Sequence, residues 1–459
     1  MFGTDGIRGP ANVYPLTPGF ALQLGKSIGW LLLEEHRTLG GEIWPSCIIG
    51  KDTRLSGGML ESAFAAGLSS VGVDVTLAGV IPTPAIAHLV LEHGHALGAV
   101  ISASHNPFAD NGIKFFGGDG CKFDEARETG IEGRLFEDER GAPGRRGASP
   151  TGSKIGRISA LGDAAERYID FAMHSVGHDR TLLRGLNIVV DAANGAAALT
   201  TPEILSHLGG ECFVIHGDPN GVNINENCGC THPQSLCEAV RERGADVGLA
   251  HDGDADRVLL CDEQGVLLDG DEIMAIAAVA MLESGTLARN TLVATLMSNQ
   301  GLSEVMQQRG GEMVRAAVGD RHVAALMREG GFNLGGEQSG HFIFRDHNTT
   351  GDGVIAALQI LQIMVRAGKP LSELKAILRK YPQAQRNLVV REKPPLESLE
   401  EAQEAIAETE RALGSRGRVL LRYSGTEALV RLLIEGADAD AIEARADAIA
   451  AAIEARIGA

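Results

Sequence analysis

Leu97-Gly98-Ala99-Val100-Ile101-Ser102-Ala103-Ser104-His105-Asn106-Pro107 decides how this chain is read. The stretch from Leu97 to Ile101 has no polar residue and leads straight into a turn-forming segment. A short run that is apolar on both faces reads as a strand buried between layers. Ser104 falls just past its carboxyl end, where open α/β sheets gather their ligands. Working outward, the same alternation recurs. Thr17 and Pro18 open a helix to about His36, as N-cap and first helical residue. Cys47 to Gly50 reads as a strand, Met59 to Val71 as a helix and Val73 to Leu77 as a strand. Asn111-Gly112 marks a turn before Ile113-Lys114-Phe115-Phe116.

Glu137 to Lys154 is rich in Gly, Pro, Arg and Ser and reads as a linker. A second α/β unit follows, with a helix near Ala164 to Met173 and strands Asn187 to Val190 and Val247 to Ala250. A third has strands Leu292 to Thr295 and Met313 to Ala316, helix Arg321 to Met327, the Glu337 loop and a helix from Gly353. Past Gly368-Lys369-Pro370 the texture changes to a smaller α+β unit, whose last helix lines up Ile442, Ala446, Ile449 and Ile453. The expected architecture is three similar mixed-sheet α/β domains, 1–152, 153–250 and 251–369, and a C-terminal α+β domain, 370–459.

The chain has 459 residues, too many for a single core. A net charge of −19 argues against a nucleic-acid partner. Seven cysteines without a regular framework suggest a reduced, cytoplasmic protein, and Cys228-Gly229-Cys230 is too tightly spaced for zinc. No apolar run is long enough for a membrane span, and the polar start Phe2-Gly3-Thr4-Asp5-Gly6-Ile7-Arg8-Gly9 is unlike a signal peptide.

Asp252-Gly253-Asp254-Ala255-Asp256-Arg257 also follows an apolar strand. Alternate residues of an extended segment point the same way, so its three carboxylates converge on one hard divalent cation. An EF-hand would have Gly where Arg257 stands. Mg²⁺ takes few protein carboxylates plus a phosphate oxygen, which a phosphorylated Ser104 supplies. Taken alone, Ser-His-Asn-Pro also fits a turn or a helix start, and the aspartates an acidic surface loop. Ser104 lacks the Gly-x-Ser-x-Gly elbow of a hydrolase. His105 is poorly placed to be its base, because adjacent side chains of an extended loop point apart. Gly336-Glu337-Gln338-Ser339-Gly340-His341 offers a carboxylate and a hydroxyl suited to sugar hydroxyls. Arg422-Tyr423-Ser424-Gly425-Thr426-Glu427, with Arg431, reads as a phosphate cradle or a hairpin turn.

With these four runs in this order, the chain resembles the α-D-phosphohexomutases over nearly its whole length. The N-terminal run, Asp110-Asn111-Gly112-Ile113-Lys114-Phe115-Phe116, Asn223-Ile224-Asn225-Glu226-Asn227-Cys228-Gly229 and Gln338 are similar to the glucosamine branch. The resemblance implies four domains around a central cleft, with Ser104 as phosphoserine and Asp252, Asp254 and Asp256 as Mg²⁺ ligands. It implies that Glu337 and Ser339 read the sugar, and that Arg422, Ser424, Gly425, Thr426 and Arg431 hold the non-reacting phosphate. Arg8, Lys114, Arg257 and Arg321 are expected near the reacting phosphoryl group. Tyr423, Ala428 and His322 depart from residues often found there. The implied reaction interconverts glucosamine 6-phosphate and glucosamine 1-phosphate through a 1,6-bisphosphate, feeding amino-sugar nucleotide synthesis in a cytoplasmic monomer or homodimer. Lys114, its pKa lowered by neighbouring cations, is the first candidate acid/base, and His341 the second. Alternatives are a phosphoglucomutase/phosphomannomutase, a metal-dependent phosphatase and a non-catalytic sugar-phosphate sensor.

Overall fold

The structure is a computed structural model that describes residues 1–3, 5–39, 44–139, 149–424 and 428–459. The first sheet contains β1 (Ile7–Pro10), β2 (Ser46–Lys51), β3 (Asp74–Val80), β4 (Leu97–Ile101), β5 (Asp110–Gly117) and β6 (Ile158–Ala160). Their order is β1-β5-β4-β2-β3-β6, with β5 antiparallel to both β4 and β1. The second contains β7 (Asn187–Asp191), β8 (Glu211–Ile215), β9 (Val247–His251), β10 (Val258–Asp262) and β11 (Leu267–Leu268), in the order β11-β10-β9-β7-β8. The third contains β12 (Thr291–Thr295), β13 (Glu312–Ala316), β14 (Leu334–Gly336) and β15 (Phe342–Phe344), in the order β13-β12-β14-β15. The last, antiparallel sheet holds β16 (Gln383–Val389), β17 (Gly417–Tyr423) and β18 (Leu429–Gly436) in the order β16-β18-β17.

The first three sheets share one device. A buried strand of the parallel set ends, the chain turns, and the next strand returns antiparallel beside it: β4 to β5, β9 to β10, β14 to β15. Those three turns carry Ser104, the aspartates and Glu337 respectively. The repetition lies in topology, which is why no fixed sequence period betrays it.

Two expected boundaries move. A boundary between 250 and 251 would cut the second sheet, because β9 runs to His251 and pairs with β10 residue by residue. Val258-Leu259-Leu260 reads equally well as the first strand of a new unit, and only its pairing assigns it. The helix Leu371–Lys375 lies past the expected 369/370 boundary, yet Leu371 and Leu378 pack into the core of the preceding unit. Residues 140–148 of the expected linker lie outside the described residues.

A continuous apolar cluster reaches from Ile48, Ile86 and Phe116 of the first unit through Tyr168 and Leu249 of the second to Leu292 and Ile360 of the third. The C-terminal unit closes its own core, with Ala384, Val430 and Ile434 under Ile442, Ala446, Ile449 and Ile453. Polar contacts join it to the third unit. Arg418 donates to the Ser298 carbonyl at 2.8 Å, and the Gln300 N–H to Glu435 at 3.2 Å. Three units are thus fused by apolar burial, while the fourth is docked by hydrogen bonds.

Candidate active site

Ser104 has φ +52°, a left-handed conformation that costs a non-glycine residue about 1 kcal/mol or more unless its surroundings hold it. Arg54 does much of the holding. Its guanidinium is fully buried, and Nε donates to Asp52 Oδ2 at 2.8 Å. Its other nitrogens donate to the carbonyls of Ser104 (2.9 Å), Asn106 (2.8 Å), Asp110 (3.1 Å) and Pro107. Asn225 Nδ2 adds bonds to the Ser104 and Asn106 carbonyls at 2.8 and 3.0 Å. The Ser104 N–H donates to Ser102 Oγ (2.9 Å), and that hydroxyl to Asp52 (2.7 Å). So restrained, the Ser104 Oγ donates to Asp252 Oδ2 at 2.5 Å. The left-handed turn also corrects the expectation for His105. Its Nδ1 lies 3.3 Å from Ser104 Oγ, because the segment is a turn and not extended. Burial, then Arg257 and Arg8, push the His105 pKa down to about 4.

Asp252, Asp254 and Asp256 each bring a carboxylate oxygen within 4.8 Å of the others, all buried. The donor set is all oxygen, and Asp254 Oδ1 and Asp256 Oδ1 are buried without a hydrogen-bond partner. Two orphaned anionic oxygens beside a serine hydroxyl fit a hard divalent cation such as Mg²⁺. Burial, reinforced by Asp256 and Asp254, raises the Asp252 pKa well above the carboxylate range. Burial also acts to raise Asp256, but Lys114, His341, Lys122 and Arg257 outweigh it and hold that carboxyl low. Gly253 makes the close approach possible: a Cβ there would sit 2.7 Å from the Ser104 carbonyl oxygen.

Lys114 reaches the aspartates from β5, 2.8 Å from Asp254, 3.3 Å from Asp256 and 3.0 Å from Asp5. Its environment reverses the expectation of a lowered pKa. Burial acts downward, but the carboxylates of Asp254, Asp5 and Asp256 raise the pKa well above that of a free lysine. Arg8 donates to Asp5 (2.5 Å) and to the Ala103 carbonyl (3.4 Å). Arg257 lies 3.8 Å from Asp256. His341 forms a β-bridge with Arg257, which ties the third loop to the second, and its Nε2 lies 3.5 Å from Asp320. Arg321 sits at the rim, donating to the Gly3 carbonyl (2.8 Å) and pairing with Glu128 (3.3 Å).

Glu337 Oε1 accepts from the Gly319 N–H at 2.9 Å. Ser339 occupies the same loop, which lies on the start of the helix Gly270–Glu283; Gln338 Nε2 donates to Asp271 (3.2 Å) and Asp269 (3.3 Å). On the C-terminal unit, Arg422 and Arg431 are directly opposite on β17 and β18. Like charges placed so are costly without an anion, and burial followed by Arg431 lowers the Arg422 pKa. Lys393 Nζ donates to the Ser424 carbonyl at 2.8 Å, adding a third cation. Gly425 and Thr426 lie outside the described residues.

Sequence reasoning missed Arg54, Asp52, Asp5, Lys122 and Asp320 as parts of this centre. Lys122 bridges Asp5 (2.7 Å) and Asp320, which are remote in sequence. Asp5 had a signal in the glycine-flanked N-terminal run; for Lys122 none was available.

The four units coincide with matches to the phosphoglucomutase/phosphomannomutase alpha/beta/alpha domains I (residues 1–141), II (166–265) and III (269–381) and the C-terminal domain (386–452). The chain belongs to the phosphoglucomutase/phosphomannomutase family. Within it, the chain is 49% identical over 459 residues to a phosphoglucosamine mutase of Anaeromyxobacter sp. (strain Fw109-5), covering 100% of this chain and 96% of that one. It is 48% identical over 458 residues to the phosphoglucosamine mutase of Syntrophotalea carbinolica, covering 100% and 98%. Among solved structures, a phosphoglucomutase/phosphomannomutase family protein of Burkholderia thailandensis superposes with a TM-score of 0.79 at 25% identity, over 99% of this chain and 98% of that one. An Aspergillus fumigatus N-acetylphosphoglucosamine mutase, in complex with GlcNAc-6P and magnesium, shares the fold with a TM-score of 0.63 at 18% identity, over 98% and 95%. In this phosphohexomutase fold, the turns of the three α/β domains bring Ser104, Asp252, Asp254, Asp256 and His341 together with Lys114 of β5, while Arg422, Ser424 and Arg431 cluster separately on the C-terminal domain.

Proposed function

We propose that the chain is a phosphoglucosamine mutase, interconverting glucosamine 6-phosphate and glucosamine 1-phosphate through phosphorylated Ser104. The observation that carries this reading is the 2.5 Å contact of Ser104 Oγ with Asp252, at an all-oxygen cluster with two unpartnered carboxylate oxygens. The phosphoglucosamine mutase relatives support the substrate class. Asp252, Asp254 and Asp256 would hold Mg²⁺, which when bound offsets charge on the transferring phosphoryl group.

The C-terminal cradle of Arg422, Ser424, Gly425, Thr426 and Arg431 binds the phosphate that does not react, while Glu337 and Ser339 orient the sugar. The C1 hydroxyl oxygen attacks the Ser104 phosphorus; the P–O bond to Ser104 breaks, leaving glucosamine 1,6-bisphosphate. The bisphosphate turns over, and Ser104 Oγ attacks the C6 phosphorus; the P–O bond to C6 breaks, and glucosamine 1-phosphate leaves with a proton on its C6 oxygen. Arg8, Arg257 and Arg321 stabilise the spreading negative charge. Lys114 acts as a fixed cation beside the acceptor oxygen, as its carboxylate neighbours keep it protonated. His341 remains the candidate for moving the proton. A docked C-terminal domain with its own core closes over the cleft and excludes water, which would otherwise hydrolyse phosphoserine.

The test is kcat/KM of the Ser104-phosphorylated protein with Mg²⁺ for glucosamine 6-phosphate against glucose and mannose phosphates. Preference for the amino sugar is expected. Preference for glucose or mannose phosphate would move the protein to the other branch of the family.

A further inference from the structure

Two thiols outside the cleft stand in direct contact. Cys237, half-buried on the helix Gln234–Arg243, has its Sγ 3.4 Å from Sγ of Cys261 on β10. Both are free thiols, and Cys261 is fully buried. They lie among Val189, Leu236, Val240, Ala245 and Ala250, in one patch of core. A disulfide needs the sulfurs at about 2.05 Å, so closure requires roughly 1.4 Å of approach, within reach of a small side-chain rotation and helix shift.

We propose that Cys237 and Cys261 form a dithiol site that a hydroperoxide oxidises to an intramolecular disulfide. Cys237 is the attacking group because it is partly exposed, whereas Cys261 is fully buried. Its thiolate attacks one peroxide oxygen; the S–O bond forms, the O–O bond breaks, and the released oxygen leaves as water or alcohol with the thiol's proton. The Cys261 sulfur then attacks the sulfenic sulfur of Cys237. The S–S bond forms, the S–O bond breaks, and a second water departs with the Cys261 proton. Two thiols thus give up two electrons and two protons, and one hydroperoxide is reduced.

Burial, with help from Cys237, pushes the Cys261 thiol up. That makes the second step the slow one and leaves the end point unchanged. The new bond would staple the helix to β10 across 24 residues of chain and restrict the unfolded state. Cys261 pairs with Gly248, three positions upstream of the end of β9, so the bond forms away from the Asp252 turn. Turnover should survive oxidation, and the melting temperature should rise.

The experiment treats the full-length protein with hydrogen peroxide, blocks free thiols, and maps non-reduced tryptic peptides by tandem fragmentation, which separates Cys237 from Cys212, Cys228 and Cys230 of the same tryptic peptide. The expected result is a chain two hydrogens lighter before blocking, with fragmentation placing the bond between Cys237 and Cys261. Cys261→Ser should stop at a dimedone-reactive sulfenic acid on Cys237, and Cys237→Ser should form no bond. Recovery of both wild-type peptides as blocked free thiols would overturn the proposal. So would a wild-type sulfenic acid at Cys237 that never proceeds to the linked pair, or linkage of either cysteine to a different one. The wild-type map decides the matter even if a variant fails to fold.

Discussion

Arg54→Lys tests the idea that Ser104 is held in place by a buried fork. Arg54 donates to Asp52 and to the carbonyls of Ser104, Asn106, Asp110 and Pro107. A lysine ammonium is a single point and can satisfy two or three of these acceptors at most, with no planar fork to span them. The remainder lose their Arg54 partner; the Ser104 carbonyl belongs to a buried residue, while those of Asn106 and Asp110 are partly buried. Asp52 is already pushed up by burial, with Arg54 the main opposing influence. Breaking a buried pair of this kind costs about 3–5 kcal/mol. Each 1.4 kcal/mol is tenfold in an opening equilibrium, so amide exchange across residues 102–110 should quicken by roughly 100- to 4,000-fold. Hydrogen-exchange mass spectrometry on peptides covering that turn reads this directly, with the C-terminal unit as internal control because it has a separate core. Turnover should fall about 100-fold from misplacement of Oγ, though Arg54 donates no bond to the Asp252 cluster. Exchange within threefold of wild type would refute the reasoning and make Arg54 a bystander.

Gly253→Ala places a methyl 2.7 Å from the Ser104 carbonyl oxygen and 2.9 Å from Asn225 Nδ2. Steady-state kinetics should show about a 100-fold loss of kcat with the fold retained by circular dichroism. Burial, then His93, hold the buried His95 at a pKa of about 4, against 6.5 when unfolded. The unfolded chain therefore binds more protons between pH 6.5 and 4, and stability falls as pH drops through that window, by roughly 1.4 kcal/mol per pH unit at most. In His95→Asn, urea unfolding between those pH values should show a shallower decline. Gln338→Met removes the bonds that pin the Glu337 loop to Asp269 and Asp271. It should lower kcat/KM for glucosamine 6-phosphate and narrow the preference over glucose 6-phosphate, measured by coupled assay.

What could be read in the sequence was local. Leu97 to Ile101 and Val247 to Ala250 are apolar runs that end at polar turns, and both are buried strands ending where function was expected. The alternate aspartates needed only their spacing. What could not be read was set by long-range pairing. Val258-Leu259-Leu260 is a strand in either partition, and only its antiparallel register with β9 assigns it to the second unit. The charge state of Lys114 depends on Asp254, 140 residues away, and on Asp5. The contact of His105 with Ser104 follows from a left-handed turn at a non-glycine residue, which composition does not announce. Arg54 carried no signal in the sequence, because apart from Asp52 its partners are backbone carbonyls, which leave no mark in side-chain chemistry.

The central claim is that phosphoryl transfer passes through Ser104. A rapid-quench single turnover tests it most directly, mixing protein labelled with ³²P on Ser104 with excess unlabelled glucosamine 6-phosphate and Mg²⁺. The account predicts that label leaves the protein and appears first in a sugar bisphosphate, at least as fast as steady-state turnover, and that Ser104→Ala neither takes up label nor converts substrate. Product formation while the label stays on the protein, or near-normal turnover by Ser104→Ala, would contradict it.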